Sequence, residues 1–327
     1  MNVRAILDAF PKLRVLIAGD VCLDRWCRYD PALGEPSRET GIPRTAVVAT
    51  KTTPGAAGTI ANNLVALRIG EVAILGVVGD DGFGHELEKA MAERSIRSDL
   101  LVRTPARATF TYTTQINAST GAEDLPRVDF INPVDMPDEV DDAVIDRFRA
   151  AAPEFDIVLV SDQAETPRGG VVTPRVREAI CAYAASRPDQ IVWVDSRARA
   201  ELFRRVIVKP NREEAEAASR RALGRVDFAA LRARIESKLL VVTLGGEGAL
   251  LVEESGERIV PGIQVTPVDI CGAGDSFTAG AAPALFATKS PGDAAAFGNL
   301  VASVTVQKPG TGTASPEEVL RAAGGSQ

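Results

Sequence analysis

Asp269-Ile270-Cys271-Gly272-Ala273-Gly274-Asp275-Ser276 sets two glycines directly ahead of a carboxylate. Gly272 and Gly274 let the backbone turn tightly and approach a ligand closely. A small-residue run of helical character follows from Phe277 to Ala287. The amides of Ala273, Gly274 and Asp275 are therefore expected at a helix N-terminus, unpaired and pointing outward. Orphan N–H groups and the helix dipole both favour an anion there. A carboxylate in such a pocket is a base for a hydroxyl, set beside donors for a migrating phosphoryl group. An ordinary turn with Asp275 as a first-turn dipole partner would carry the same octet, so the rest of the chain has to decide.

Asp20 and Asp24 flank the end of a first strand, Val15 to Ala18, in Gly19-Asp20-Val21-Cys22-Leu23-Asp24. Carboxylates at a strand's carboxyl end can grip sugar hydroxyls; a solvated loop acid is the alternative, and it weighs more for Asp20 than for Asp24. Pro54-Gly55-Ala56-Ala57-Gly58-Thr59 leads into a helix at Ile60, and one of Asn62 and Asn63 is expected to face the site. Gly79-Asp80-Asp81-Gly82-Phe83-Gly84 reads as a loop with a helix cap. Asn211 and Glu214 have capping-box spacing; the functional alternative is a hydrated Mg²⁺ near nucleotide phosphates. Thr243-Leu244-Gly245-Gly246-Glu247-Gly248 is a glycine-rich turn after a strand, without Walker spacing. No dinucleotide fingerprint follows the first strand.

The elements that would position these groups alternate. Strands are expected at Val15 to Ala18, Val72 to Val78, Ile157 to Val160, Ile191 to Val194, Val206 to Val208 and Leu239 to Thr243. Helices are expected at Ile60 to Arg68, His85 to Arg94, Pro174 to Ser186 and Arg212 to Arg221. Near-continuous apolar strands separated by helices predict an α/β fold: a mostly parallel sheet covered on both faces, with ligands at the strands' carboxyl ends. Residues 28–54 and 101–131 break the pattern, are rich in Thr, Val, Tyr and Phe, and predict a small β lid. The reading is one domain over 1–327 with that lid, and a frayed tail from Ala322 to Gln327.

Composition narrows the functions. With 327 residues and 45% apolar content, a sizeable core is assured. A net charge of −7 argues against a nucleic-acid or anionic-membrane surface. A single histidine (His85) removes His-rich metal sites and makes a Ser-His-Asp triad a poor explanation. Four scattered cysteines read as buried small hydrophobes in a reduced compartment. With no run long enough to span a bilayer and no signal-peptide pattern at the start, the expectation is a soluble cytoplasmic protein.

In their order, Gly19–Asp24, Gly55–Asn63, Gly79–Gly84, Asn211–Glu214, Thr243–Gly248 and Asp269–Ser276 resemble the ribokinase-like (PfkB) carbohydrate kinase family over nearly the whole chain. Gly19 to Trp26, the Pro54-Gly55 loop and Arg127-Val128-Asp129-Phe130 bring it nearest to the heptose-7-phosphate kinase part of ADP-heptose synthase. The resemblance implies a ribokinase-like sheet with helices on both faces, and an ATP- and Mg²⁺-dependent kinase for a hydroxyl of a sugar or sugar phosphate. It implies Asp275 as catalytic base, ionised at neutral pH with an ordinary pKa of about 4, and Gly272, Ala273 and Gly274 as the anion hole. Asp24, Asp20, Gly55, Ala56, Thr59 and Asn63 would then meet the acceptor. Asn211 and Glu214 would organise Mg²⁺ and the phosphates; Thr243, Gly245 and Gly248 would line the nucleotide groove, with Asn299 near the adenine. Asp269 and Cys271, with the loop around Gly310, match positions that in many members help bind a monovalent cation (K⁺). Ala56 and Thr59 depart from the family's usual Gly and Asn, and Gln163 to Arg168 replace a usual Tyr and Lys-Gly pair. A nucleoside or other small-alcohol kinase of the same fold, or a catalytically silent ligand-binding homologue, are the alternatives. The lid's exposed edges suggest a homodimer.

Overall fold

Val15-Leu16-Ile17, Val158-Leu159-Val160, Trp193-Val194 and Leu240-Val241-Val242 are almost wholly buried, as parallel strands between two helical layers must be. In the computed structural model, which describes residues 1–164 and 168–324, the chain opens with α1 (Val3–Ala9), β1 (Arg14–Gly19), β2 (Val21–Tyr29), β3 (Val47–Ala56), α2 (Ala57–Ala66), β4 (Glu71–Leu75) and β5 (Val77–Gly79). It continues through α3 (Gly82–Ala92), β6 (Val102–Thr104), β7 (Thr111–Asn117), β8 (Val128–Phe130), α4 (Asp138–Ala151), β9 (Ile157–Asp162), α5 (Pro174–Ser186) and β10 (Ile191–Ser196). Then follow β11 (Ile207–Val208), α6 (Arg212–Leu223), α7 (Phe228–Arg234), β12 (Leu239–Thr243), β13 (Gly248–Glu253) and β14 (Gly256–Pro261). The chain closes with α8 (Ala273–Thr288), α9 (Pro291–Thr305) and α10 (Pro316–Gly324).

The central sheet has the order β14-β13-β12-β11-β10-β9-β1-β4. Its strands are parallel from β4 to β12, while β13 and β14 close the edge as antiparallel hairpins. Side chains of α1, α2, α8 and α9 fill one face of the core, and those of α4, α5, α6 and α7 the other. This is the expected ribokinase-like α/β arrangement. It brings the carboxyl ends of β9, β10, β11 and β12 to one edge, facing the start of α8.

A second sheet, β3-β2-β7-β8, is built from the segments expected to form a lid, and that name is kept for it. It begins earlier than the expected boundary at residue 28. β2 starts at Val21, with only Asp20 between it and β1. The strand has no turn residues to announce it, so its first half reads as a loop. β2 pairs antiparallel with β3 and parallel with β7. The strand expected over Val72–Val78 is divided instead. β4 stays in the central sheet, and β5 pairs with β6, outside the lid. The break is at Gly76, where a Cβ would come 2.8 Å from the Gly19 carbonyl oxygen.

Asp81 is the cap of α3, accepting from the Gly84 amide at 2.7 Å, and it also takes the amide and hydroxyl of Thr109. That is the capping expected for this loop. The tail differs from expectation: Ala322 to Gly324 finish α10, whose Val319 is buried, and the frayed reading of residues 325–327 lies outside the described residues. No helix among the described residues is long and apolar enough to cross a membrane. All four cysteines are free; Cys22 and Cys27 are buried, Cys181 is half-buried, and Cys271 is exposed, contrary to its expected burial.

Candidate active site

Gly272 takes φ 75°, a left-handed turn that a side chain would disfavour, and it starts α8. Its two neighbours in space are the methyls of Thr59 and Thr311, each 3.3 Å from where a Cβ would stand. Thr59, expected at the acceptor, is therefore buried beneath the anion loop. The Ala273 amide donates to the Ile270 carbonyl at 3.2 Å, so it is not one of the free donors. The amides of Gly274 and Asp275 make no hydrogen bond among the described residues, and they form the orphan pair at the helix start.

Beneath this pair is a buried cation that no motif announces. Lys209, at the end of β11, is 3% exposed and holds Asp195, at the end of β10, at 2.9 Å. A Cβ on Gly274 would lie 3.4 Å from Lys209 Nζ, so the amides at the helix start and the ammonium are close neighbours. Burial works against the Lys209 charge, but Asp195, Glu214 and Asp275 outweigh it and hold the lysine above its ordinary pKa.

Asp275 is not the ordinary carboxylate expected. Burial first, and then the negative charge of Asp195, push it up to about 7; Lys209 and Arg197 pull it back, and Asp24 adds a smaller push. That basicity suits the role of general base expected for it.

A cavity of about 590 Å³ runs from Asp275 over Lys209 and Asn211 to Gly245, Gly248 and Asn299. Asn211 and Glu214 form the expected capping box: Asn211 Oδ1 accepts from the Glu214 amide at 2.9 Å, and Glu214 Oε2 from the Asn211 amide at 2.8 Å. Both also line the cavity, so cap and site are one feature. Gly245 and Gly248 have φ of 60° and 108°, and a Cβ on Gly248 would strike the Val260 carbonyl at 2.2 Å. Thr243 lines the same groove at the end of β12. Asn299 reaches the cavity wall, but its amide is spent on the carbonyls of Val260 and Pro261, both at 3.1 Å.

The end expected to meet the acceptor is built differently. Asp24 is on β2 of the lid; burial pushes its carboxyl up to about 6, while Cys22 and Arg127 lower it. A Cβ on Gly55 would meet Asp24 Oδ2 at 2.3 Å, so this glycine makes room for the carboxylate. Ala56 occupies φ 52°, ψ −115°, a conformation suited to glycine and kept here by a residue with a side chain. Asp20 and Asn63, both expected at the acceptor, are elsewhere. Asp20 is buried and accepts from the amides of Gln163, Ala164 and Val171 at 2.7–2.8 Å, which uses both oxygens to hold the segment after β9. Asn63 is wholly buried and donates to the Thr59 carbonyl. Asn62 ties α2 to Thr53 and Pro54. The middle of the Gln163–Arg168 departure lies outside the described residues; Gln163 lines the cavity, and its side-chain amide reaches the Asp195 carbonyl at 3.4 Å.

Among the described residues, no cluster of three His, Cys, Asp or Glu side chains could cage a metal ion. Asp269, expected at a cation site with Cys271, accepts from the Cys271 amide at 2.9 Å and the Gly310 amide at 3.0 Å, tying two loops together. The Mg²⁺ expectation fits the electrostatics better. Burial raises Glu214, with Asp195 adding to the push, and Asp275 is raised beside the same Asp195, so a cation entering with phosphates would relieve that strain. Mg²⁺ keeps most of its waters and needs one or two carboxylates when phosphates supply the rest; Glu214 is placed for that.

Residues 21–318 match the pfkB family of carbohydrate kinases. The chain belongs to that family. Its pfkB relatives include the bifunctional protein HldE of Geotalea uraniireducens, 31% identical over 98% of this chain and 64% of that protein. HldE of Methylococcus capsulatus is 32% identical, over 98% of this chain and 66% of that protein. The pfkB chain therefore spans a little under two thirds of these relatives' length. Among solved structures, ribokinase from Thermotoga maritima superposes with a TM-score of 0.69 at 22% identity, covering 95% of this chain and 99% of that one. Phosphofructokinase-2 from Escherichia coli, in complex with potassium, gives 0.70 at 18% identity, covering 96% and 100%. Arabidopsis thaliana ribokinase, complexed with ribose and ATP, gives 0.65 at 19%, covering 95% and 98%. These establish the fold.

Lys209, Asp195 and Arg197 are the site residues that motif reading misses. A signal exists: each stands at or just past the carboxyl end of a strand, where ligands bind in such sheets. Only the strand order makes β10 and β11 neighbours.

Proposed function

We propose that this carbohydrate kinase transfers the γ-phosphoryl group of ATP to a hydroxyl of a sugar phosphate, with Asp275 as base. One observation carries the reading: Asp275 stands with two unpaired amides at the start of α8, over the buried Lys209, at one end of a cavity large enough for a nucleotide. The acceptor hydroxyl lies against the Asp275 carboxylate. Its oxygen attacks the γ-phosphorus in line, its proton passes to Asp275, and the bond to the ADP oxygen breaks. The Gly274 and Asp275 amides and the Lys209 ammonium meet the charge on the transferring group. Mg²⁺, when bound with the nucleotide, would neutralise phosphate charge beside Glu214.

The acceptor end favours a phosphorylated sugar over a nucleoside. Tyr112, the lid aromatic that a base would need, has the Arg127 guanidinium 4.9 Å over its ring. Arg127 is also the cation that acts on Asp24. Incubation with ATP, Mg²⁺ and a panel of sugars, sugar phosphates and nucleosides tests the reading through ADP release. Release that depends on a sugar phosphate and vanishes in Asp275→Asn supports it; release driven best by nucleosides overturns the acceptor class.

The lid also supports a homodimer. β3 and β8 are open edges of its sheet, and Val47, Val48 and Val128 are exposed on them. Light scattering that gives a monomer mass at micromolar concentration would exclude it.

A further inference from the structure

Cys22 and Asp24 are two residues apart on β2, so their side chains stand on the same face of the lid sheet. Across the ladder, Cys22 pairs with Gly55 and Asp24 with Thr53. Opposed residues also share a face, and Gly55 contributes nothing there. A Cβ at Gly55 would come 2.3 Å from Asp24 Oδ2 and 2.6 Å from Cys22 Sγ. The vacant side-chain position is filled from both sides, by the carboxylate and by the thiol. They meet there: Cys22 Sγ donates to Asp24 Oδ1 at 3.7 Å, within the reach of a sulfur donor. No other hydrogen bond to this carboxylate is made among the described residues.

The thiol is suited to being a permanent donor. Cys22 is 4% exposed. Burial, reinforced by Asp24, Asp20 and Asp275, pushes it well above the ordinary thiol range, so it keeps its proton and is a poor nucleophile. The charged and titratable groups that face Asp24 come from several elements. Arg127 approaches from the β8 side, itself held by Asp129 of β8 at 2.7 Å, Tyr112 is opposite on β7, Asp275 is at the start of α8, and Cys271 is in the loop before it. On β3 the facing residues, Thr53 and Gly55, are neutral. Arg127 lowers the Asp24 carboxyl by its charge, and Cys22 lowers it through the hydrogen bond.

We propose that Cys22 is a positioning residue for the acceptor: its S–H pins Oδ1 of Asp24 over Gly55 and leaves the remaining lone pairs of that carboxylate to the sugar hydroxyls. The inference rests on Asp24 being the acceptor's carboxylate. A thiol is a weak donor, so the hold is soft, and a stronger or absent donor at residue 22 should tune acceptor binding in opposite directions.

Two measurements test it, and the first needs no substrate. The S–H stretching band of Cys22, isolated by difference against Cys22→Ser, is followed in the free protein from about pH 4.5 to about pH 8. We expect one step near pH 6, where Asp24 ionises and becomes the better acceptor. The step should be lost in Asp24→Asn. A band indifferent to pH, or a step that survives in Asp24→Asn, overturns the pairing.

The second uses heptose 7-phosphate and ATP. Cys22→Ala should raise the acceptor KM about threefold, leave kcat and the KM for ATP unchanged, and move the lower step of the acid limb of kcat/KM, the one near pH 6 that belongs to Asp24, to higher pH. Cys22→Ser should move that step to lower pH. Shifts in the same direction for both variants, each melting at the wild-type temperature, overturn the proposal. Asp24→Asn separates the two layers. An unchanged acceptor KM in that variant sinks the acceptor assignment even if the infrared step is present. A raised KM without an infrared step sinks the thiol inference alone.

Discussion

The ends of this site proposed for the nucleotide and for the acceptor handle glycine in opposite ways. At the nucleotide end, each left-handed turn that touches the cavity carries glycine: Gly245, Gly248 and Gly272 have φ of 60°, 108° and 75°. At the acceptor end, the turn into α2 has φ 52° at Ala56 and keeps a methyl group. Strain of this kind persists only where the surroundings over-determine it. Here the Ala57 amide is held by the Asp20 carbonyl at 2.9 Å, and residue 56 is held in the β2–β3 ladder opposite Val21. The end proposed for the nucleotide thus puts glycine at its positive-φ turns, while the end proposed for the acceptor keeps a side chain at one.

Substitutions at each end should separate the two. The largest effect is expected for Asp275→Asn, which removes the base and should lower kcat by about 10²–10⁴ with little change in ATP affinity by calorimetry. The same variant has a second expected outcome. Asp275 has a folded pKa of about 7 against 3.8 for an unperturbed aspartate, so the folded state binds its proton more tightly. That contribution to stability is full below pH 3.8 and is lost as pH rises towards 7. Asp275→Asn should therefore melt higher than wild type at pH 8, with the gap closing at pH 5. The wild-type kcat/KM should rise with pH through about 7 as the base deprotonates.

Lys209→Met leaves Asp195 buried without its partner and should cost about 3–5 kcal/mol, read from denaturant unfolding. It also removes a charge that lowers Asp275, so the pH–rate limb should move up. An unchanged limb in a folded Lys209→Met would break the link between the two ends through Asp275. Gly55→Ala forces a methyl onto the Asp24 carboxylate and should raise the acceptor KM tenfold or more, of the order of 1.4 kcal/mol, while ATP binding is spared. Ala56→Gly is the smallest: relief of the positive φ should stabilise by about 1 kcal/mol and raise the melting temperature by roughly 1–2 °C.

Much of this site is legible in the sequence, because glycine spacing and capping chemistry are local. Gly272 to Asp275 announce a helix start, Asn211 and Glu214 a capping box, and Asp81 a cap; each depends on residues within a few positions. What is not legible depends on pairing between distant segments. Lys209 finds Asp195 only because β10 and β11 are neighbours. Asp20 reads equally as an acceptor ligand or a loop acid, yet it binds amides more than 140 residues away. The lid is legible in its middle and not at its start, since β2 follows β1 without turn residues. The Ala273 amide reads as free, and a one-turn bond to Ile270 takes it.

β2 carries Asp24 and belongs to the lid sheet, whereas Asp275 belongs to α8, packed in the core of the other body. In the proposed mechanism the acceptor therefore meets two carboxylates carried on separate elements, one on the second sheet and one at the start of α8, and Asp20 alone separates the strand that carries the first from β1.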